Sequence, residues 1–299
     1  MPLGISALAL TLFYESPKFL ANLGKTDEAV EVLRKICVRN GGDGSNFPVK
    51  HLVLEETPNF RNPETSLLQS IWDQTVPIFK PPLLTRTLQL FYIIFVLYAT
   101  NNAFIVWFPF LSNAIFSSSG SGETIGNGVC ELITSSLSKN VTADVTDCSS
   151  SLESQTVITG ICHSLTFTFL NVIMSRFASW KKTVMMICLL ASITGGIGAT
   201  LAPDSVSAMV LFVMFMITAL GMGITSSYFV DLYPTSYRGM AACLGVMIAR
   251  FSSLASINIV GSIIVDHCYV TFYVWCAIVF SGVVVTWFLP PDRIPNKSI

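Results

Sequence analysis

Residues 239–265, GMAACLGVMIARFSSLASINIVGSIIV, decide how this chain folds. The stretch exceeds the roughly 20 residues a helix needs to cross the hydrocarbon of a bilayer. Its one charged side chain, Arg250, sits near the middle. Ala241, Gly245, Ala249 and Ser253 recur every fourth residue, a stripe of small side chains that lets a neighbouring helix approach closely. Five further apolar runs of similar length, 87–116, 155–175, 183–202, 206–230 and 269–289, surround it. Hydrophobic residues make up 52% of the chain and charged residues 12%, about half the quarter expected of a soluble domain. The expected fold class is an all-α membrane protein, with a six-helix transmembrane bundle over 87–289.

A shorter apolar run, Pro2 to Tyr14, precedes these and reads as the end of a truncated transmembrane helix. Residues 15–86 then read as a cytosolic connector and 290–299 as a cytosolic tail, so the chain reads as the second half of a larger bundle. Charge sets the orientation. Arg176, Lys181 and Lys182, then Arg238, then Arg293 and Lys297 occupy alternate inter-span segments, whereas loop 117–154 is acidic. The positive-inside rule places the basic segments in the cytosol and loop 117–154 outside. The chain is expected to be multi-pass, in a plasma or vesicle membrane, with the lipid bilayer as its first partner. Its net charge of −1 implies no nucleic-acid partner.

Loop 117–154 holds Asn140-Val-Thr142, a glycosylation acceptor, together with Cys130 and Cys148. An outside loop is oxidising. The expectation is a glycan on Asn140 and a Cys130–Cys148 disulfide, with two reduced thiols as the alternative. In the connector, Ser16 and Pro17 have the form of a helix N-cap and first helical residue. A second helix is expected from Thr26 to Arg39. Asp27 and Glu28 lie in its first turn and Arg34, Lys35 and Arg39 near its end, opposing the helix dipole at both ends, and Asn40-Gly41-Gly42 stops it. A short helix is expected near Leu67 to Trp72. Asn101, Asn102 and Pro109 mark the place where the first full span bends or unwinds.

Glu15-Ser-Pro-Lys-Phe-Leu, followed by Gly24-Lys-Thr-Asp-Glu-Ala-Val-Glu-Val-Leu-Arg-Lys, resembles the signature after the sixth helix of sugar and organic-ion transporters of the major facilitator superfamily. Asp231-Leu-Tyr-Pro-Thr-Ser-Tyr-Arg238-Gly is similar to that superfamily's element between its tenth and eleventh helices. The resemblance covers nearly the whole chain. It is strongest to the organic-ion branch and to the synaptic vesicle glycoprotein 2 group, including insect-type members. It implies the C-terminal six-helix half of a major facilitator fold, partnered by a missing N-terminal half and moving a small organic solute, an organic anion among the options, by alternating access. The alternative it leaves open is a vesicle-type membrane glycoprotein that serves trafficking or binding without flux. Ser175-Arg-Phe-Ala-Ser-Trp-Lys-Lys182 matches the family's basic loop only in part, lacking its Gly and acidic residue. The resemblance implies a cytosolic gate involving Glu15, Arg176, Asp231 and Arg238, with Asp231 latched to Arg176 or Arg238.

Arg250 is the sharpest chemical signal. An unpaired cation at mid-bilayer costs at least about 2.5–3.5 kcal/mol on insertion scales, and no full span carries an Asp or Glu at comparable depth. Its partner is therefore a backbone carbonyl, a group in another helical half, water or an anionic ligand. Family members that carry organic anions place a basic residue at this kind of position against substrate. Asn101, Asn102 and Tyr98, with Trp107, could line a central cavity, or else serve helix packing and an interfacial aromatic belt. His163 is a candidate cavity-facing proton or substrate group, with a satisfied packing histidine the favoured reading. The chain has no Gly-rich phosphate loop, no zinc-type Cys/His spacing and no paired carboxylates in an apolar site, and its histidines, 51, 163 and 267, are scattered. Neither enzyme activity, nor a cofactor, nor a metal is expected.

Overall fold

The computed structural model describes residues 13–45, 47–49, 66–119, 128–134 and 154–290, together with Gly4, Leu8 and Leu52. It is helical throughout, without a strand among the described residues. The chain divides into two units, one formed by 1–77 with 233–239, the other by 78–232 with 240–299.

The first unit carries helices α1 (Pro17–Asn22), α2 (Thr26–Arg39) and α3 (Leu67–Thr75). Ser16 is the N-cap of α1, with Pro17 in its first position. Asn40 ends α2, and Gly41 turns the chain away at φ 87°, a conformation that only glycine adopts without steric cost. Ala29 is buried with Leu20 and Ala21, and Val32 and Leu52 pack against them. Most of the run Pro2 to Tyr14 lies outside the described residues.

Six helical spans of the described residues are long and apolar enough to cross a membrane: Leu83–Ile115, Thr156–Ser175, Lys181–Leu201, Ser205–Leu232, Ser236–Ile263 and Cys268–Trp287, all in the second unit except the first few residues of the fifth. The chain is thus a multi-pass all-α membrane protein. Two spans are broken. The first consists of α4 (Leu83–Ile105) and α5 (Phe108–Ser119); Pro109 cannot donate to Ile105, and Trp107 N–H turns back to Phe104 O instead. Its helix begins at Leu83, four residues before the apolar run, because Leu83 and Leu84 both donate to Lys80 O. The other spans are α6 (Ser154–Ser175), α7 (Lys181–Leu201), α8 (Ser205–Phe215) with α9 (Thr218–Leu232), α10 (Thr235–Ile263) and α11 (Cys268–Trp287).

The break between α8 and α9 has its cause in α7. Ser192 Oγ donates to Phe215 O at 2.6 Å, and Ala219 N–H, which would take that carbonyl in a regular helix, bonds to Met216 O. Gly195 permits the contact. A Cβ there would stand 2.5 Å from Phe215 N and 2.8 Å from Leu211 O, so α7 and α8 meet backbone to backbone.

The core lies among α4, α5, α7, α8 and α11, with Val260 of α10. Phe104 is its centre, with ring centroids 4.8 Å from Phe215, 5.1 Å from Phe272 and 5.9 Å from Trp275. A helical segment at 129–134 buries Val129, Cys130, Leu132 and Ile133 against one end of it. That segment corrects the expected disulfide: Cys130 is bonded to Cys268, Cα to Cα 5.6 Å, and not to Cys148. Cys268 opens α11 immediately after Asp266 and His267, at the same end of the bundle as the 129–134 segment, so its thiol meets Cys130. Cys148 and Asn140 lie outside the described residues.

Candidate functional site

The helices α6 and α10 carry His163 and Arg250 and are the least buried spans. None of the most apolar window of Thr156–Ser175 is buried, and 28% of that of Ser236–Ile263, against 56% for Leu83–Ile115. On α6 the outward polar groups are satisfied within the helix. Ser164, Thr166 and Thr168 donate to the carbonyls of Gly160, Cys162 and Ser164, and Asn171 Nδ2 to Phe167 O, as a helix exposed to hydrocarbon requires. On α10 the small-residue stripe faces inward. Ala241, Gly245 and Ala249 are buried, and a Cβ on Gly245 would lie 2.5 Å from Phe229 Cζ and 3.3 Å from Ile94 Cδ1.

Asn102 joins α4 to this stripe. Its Nδ2 donates to Ser253 Oγ at 2.9 Å and to Tyr98 O at 3.0 Å, and Ser253 Oγ donates on to Ala249 O. Asn101, next to it, has a buried Oδ1 without a hydrogen-bond partner. Arg250 lies on the other side of α10. It is exposed and makes no hydrogen bond or ion pair with the described residues, a cation that bare hydrocarbon would penalise heavily. The structure therefore brings Asn102 to α10 but does not bring Arg250 to Asn101, Asn102 or Tyr98. His163 sits between Phe108 and Phe167, each 4.6 Å from its ring centroid, at the break between α4 and α5. Its Nε2 is buried and unpartnered, so the ring packs against two aromatics but is not the satisfied histidine expected from the sequence.

At the opposite end of the bundle from the disulfide, basic side chains meet acceptors. Asp231 is held by Lys181, Nζ to Oδ2 2.6 Å. This corrects the expected latch to Arg176 or Arg238. Lys181 is the first residue of α7 and reaches the end of α9 directly, whereas Arg176 stands exposed beyond α6 and Arg238 Nη2 donates to Tyr233 O. Glu15 is exposed in the first unit. Lys182 donates to Trp287 O at 2.6 Å and Leu289 O at 2.9 Å, and Arg86 to Phe288 O at 3.0 Å. These cations satisfy the last carbonyls of α11, where the helix dipole is negative. Beside the ion pair lies a cavity of about 260 Å³ between α6, α7 and α9.

Comparison with family models and with curated proteins finds no match for this sequence.

Sequence reasoning missed Cys268 as the partner of Cys130, Lys181 as the partner of Asp231, and Ser253 as the partner of Asn102. Cys268 had a signal in its place beside the acidic turn 266–267, on the side assigned to Cys130. The pairing of Lys181 rather than Arg176 had none, because both lie in one basic loop.

Proposed function

We propose that this chain is one six-helix half of a secondary transporter of the major facilitator type, which moves a small organic anion by alternating access. The observation that carries the reading is Arg250: exposed on one of the two least buried spans and unpartnered among the described residues. A guanidinium at that depth needs an anion or a polar cavity, and a solute that supplies the negative charge meets the need only while bound. In this reading the outward faces of α6 and α10 meet a complementary half, and the Lys181–Asp231 pair closes the cytosolic end and parts when that end opens. The test is uptake of labelled organic anions and cations by cells expressing the chain with a complementary half. The expected result is anion accumulation that Arg250→Ala abolishes. Equal uptake by the variant would remove Arg250 from the substrate path.

The Asn102–Ser253 bond and the filled aromatic interior favour a second reading, a membrane glycoprotein of trafficking or binding function without flux. It predicts no Arg250-dependent uptake of any solute, and a glycosidase-sensitive mobility that Asn140→Gln removes.

A further inference from the structure

The cavity at the basic end has a lining whose chemistry specifies a ligand. Asn171 and Phe177 border it from α6 and the turn that follows, Lys181 from α7, and Leu220, Gly223 and Ser227 from α9. Asp231, the partner of Lys181, does not line it. The Lys181 side chain is 20% exposed and that of Asp231 46%, so the cation lies on the sheltered side of the pair and the carboxylate on the open side. Asn171 spends an amide proton on Phe167 O, and Ser227 spends its hydroxyl proton on Ile224 O at 2.8 Å. What these groups present is the Lys181 ammonium and the second Asn171 amide proton as donors, the Asn171 and Ser227 oxygens as acceptors, and an otherwise largely apolar wall. At the position of Gly223 a Cβ would meet only Asn171 Oδ1, at 3.7 Å, so the space in front of it is open.

The complement of such a lining is an acidic head that also bears a hydrogen-bond donor, attached to an apolar body. The volume of about 260 Å³ equals the liquid volume of roughly nine water molecules at about 30 Å³ each, enough for the head and the first few carbons of a chain. We propose that this cavity binds an amphipathic organic acid whose anionic oxygen competes with Asp231 for Lys181, so that occupancy loosens the ion pair. An N-acyl amino acid, with its carboxylate, amide N–H and alkyl chain, has this chemistry. So does the head of an acidic phospholipid of the surrounding bilayer. Binding follows from the cavity alone; its effect on a gate rests on the transport reading above.

The experiment measures binding of tritiated N-decanoylglycine to the full chain, purified in detergent and, separately, in nanodiscs of phosphatidylcholine with or without phosphatidylserine. Lys181→Gln is expected to weaken binding by about tenfold, the loss of one charge-assisted hydrogen bond. Gly223→Leu, which fills the space, is expected to abolish it. Asp231→Asn removes the competing carboxylate and is expected to tighten binding several-fold, a gain that misfolding cannot imitate. Absence of binding to the wild type, or an Asp231→Asn variant that binds no better than wild type, overturns the proposal. Displacement of the probe by phosphatidylserine nanodiscs supports the proposal with the bilayer as the source of the ligand, and retention supports it with a soluble acid. Arg250→Ala leaves this cavity intact, so uptake that fails to depend on Arg250 would sink the transport reading without touching the binding result.

Discussion

The spans α7 and α11 differ from α6 and α10 in what their polar and small residues are for. On α7, Ser192, Gly195 and Gly196 are buried and used: a hydroxyl takes a carbonyl of α8, and two glycines let backbone and sulfur approach to within what would be 2.5–2.6 Å of a Cβ. On α6 the polar groups named above point outward and are tied back to their own helix, and on α10 the guanidinium is tied to nothing described. The first pair of spans uses its small residues for contacts inside the bundle. The second pair leaves most of its surface exposed, with polar groups on α6 that bond only within their own helix and one guanidinium on α10 without a bond to the described residues.

The comparison breaks most readily at Phe104. Phe104→Ala is expected to cost about 3–5 kcal/mol, because its fully buried ring leaves a cavity among Phe215, Phe272 and Trp275. Phe169→Ala, at a residue of α6 that is 65% exposed, is expected to stay within about 0.5 kcal/mol. Equal losses in denaturant unfolding of the two variants would erase the distinction between the regions. Cys268→Ser comes next, at about 2–4 kcal/mol, since the bond closes a loop of sequence separation 138. The same variant should make Cys130 alkylatable, whereas Cys148→Ser should leave it blocked.

A smaller effect sharpens the contrast on the glycine side. Gly195→Ala is expected to cost about 1–3 kcal/mol, the obstructing atoms being backbone that cannot swing aside. Asn102→Ala removes one interhelical bond to α10 and is expected to cost on the order of 0.6 kcal/mol, the mean for such bonds in a membrane protein. The smallest concerns Asp204, N-cap of α8, whose carboxylate accepts from Ser207 N–H at 2.9 Å. That bond and the Ser207 hydroxyl hold its pKa below the ordinary aspartate value. Its contribution is therefore present above the unfolded-state pKa and lost as pH falls through the lowered folded value. Amide exchange at Ser207 should quicken in that acidic window, and Asp204→Ala should remove the pH dependence.

Local chemistry was legible in advance and cross-chain chemistry was not. The bounds of α2 follow from Thr26, the Asp27-Glu28 pair and Asn40-Gly41, residues that act on their own backbone. The break after Ile105 follows from Pro109 in the same way. The break after Phe215 could not be anticipated, because its cause is Ser192, on another span. The same holds for the site. Hydropathy singled out Arg250, and the small-residue period of α10 correctly marked a packing face. Which of several neighbouring cations would hold Asp231, and which cysteine would meet Cys130, depends on where α7 and α11 begin relative to the helices beside them. Spacing along the chain carries little of that information.

The bonds from Lys182 and Arg86 to the carbonyls at 287–289 have a mechanical consequence. They lash the starts of α7 and α4 to the finish of α11, so these three rods are tied into one frame at this end. Spin labels on the basic ends of α7 and α11 are expected to keep one narrow distance distribution, and Lys182→Gln is expected to broaden it; equal distributions in the two proteins would show that these bonds do not hold the ends together.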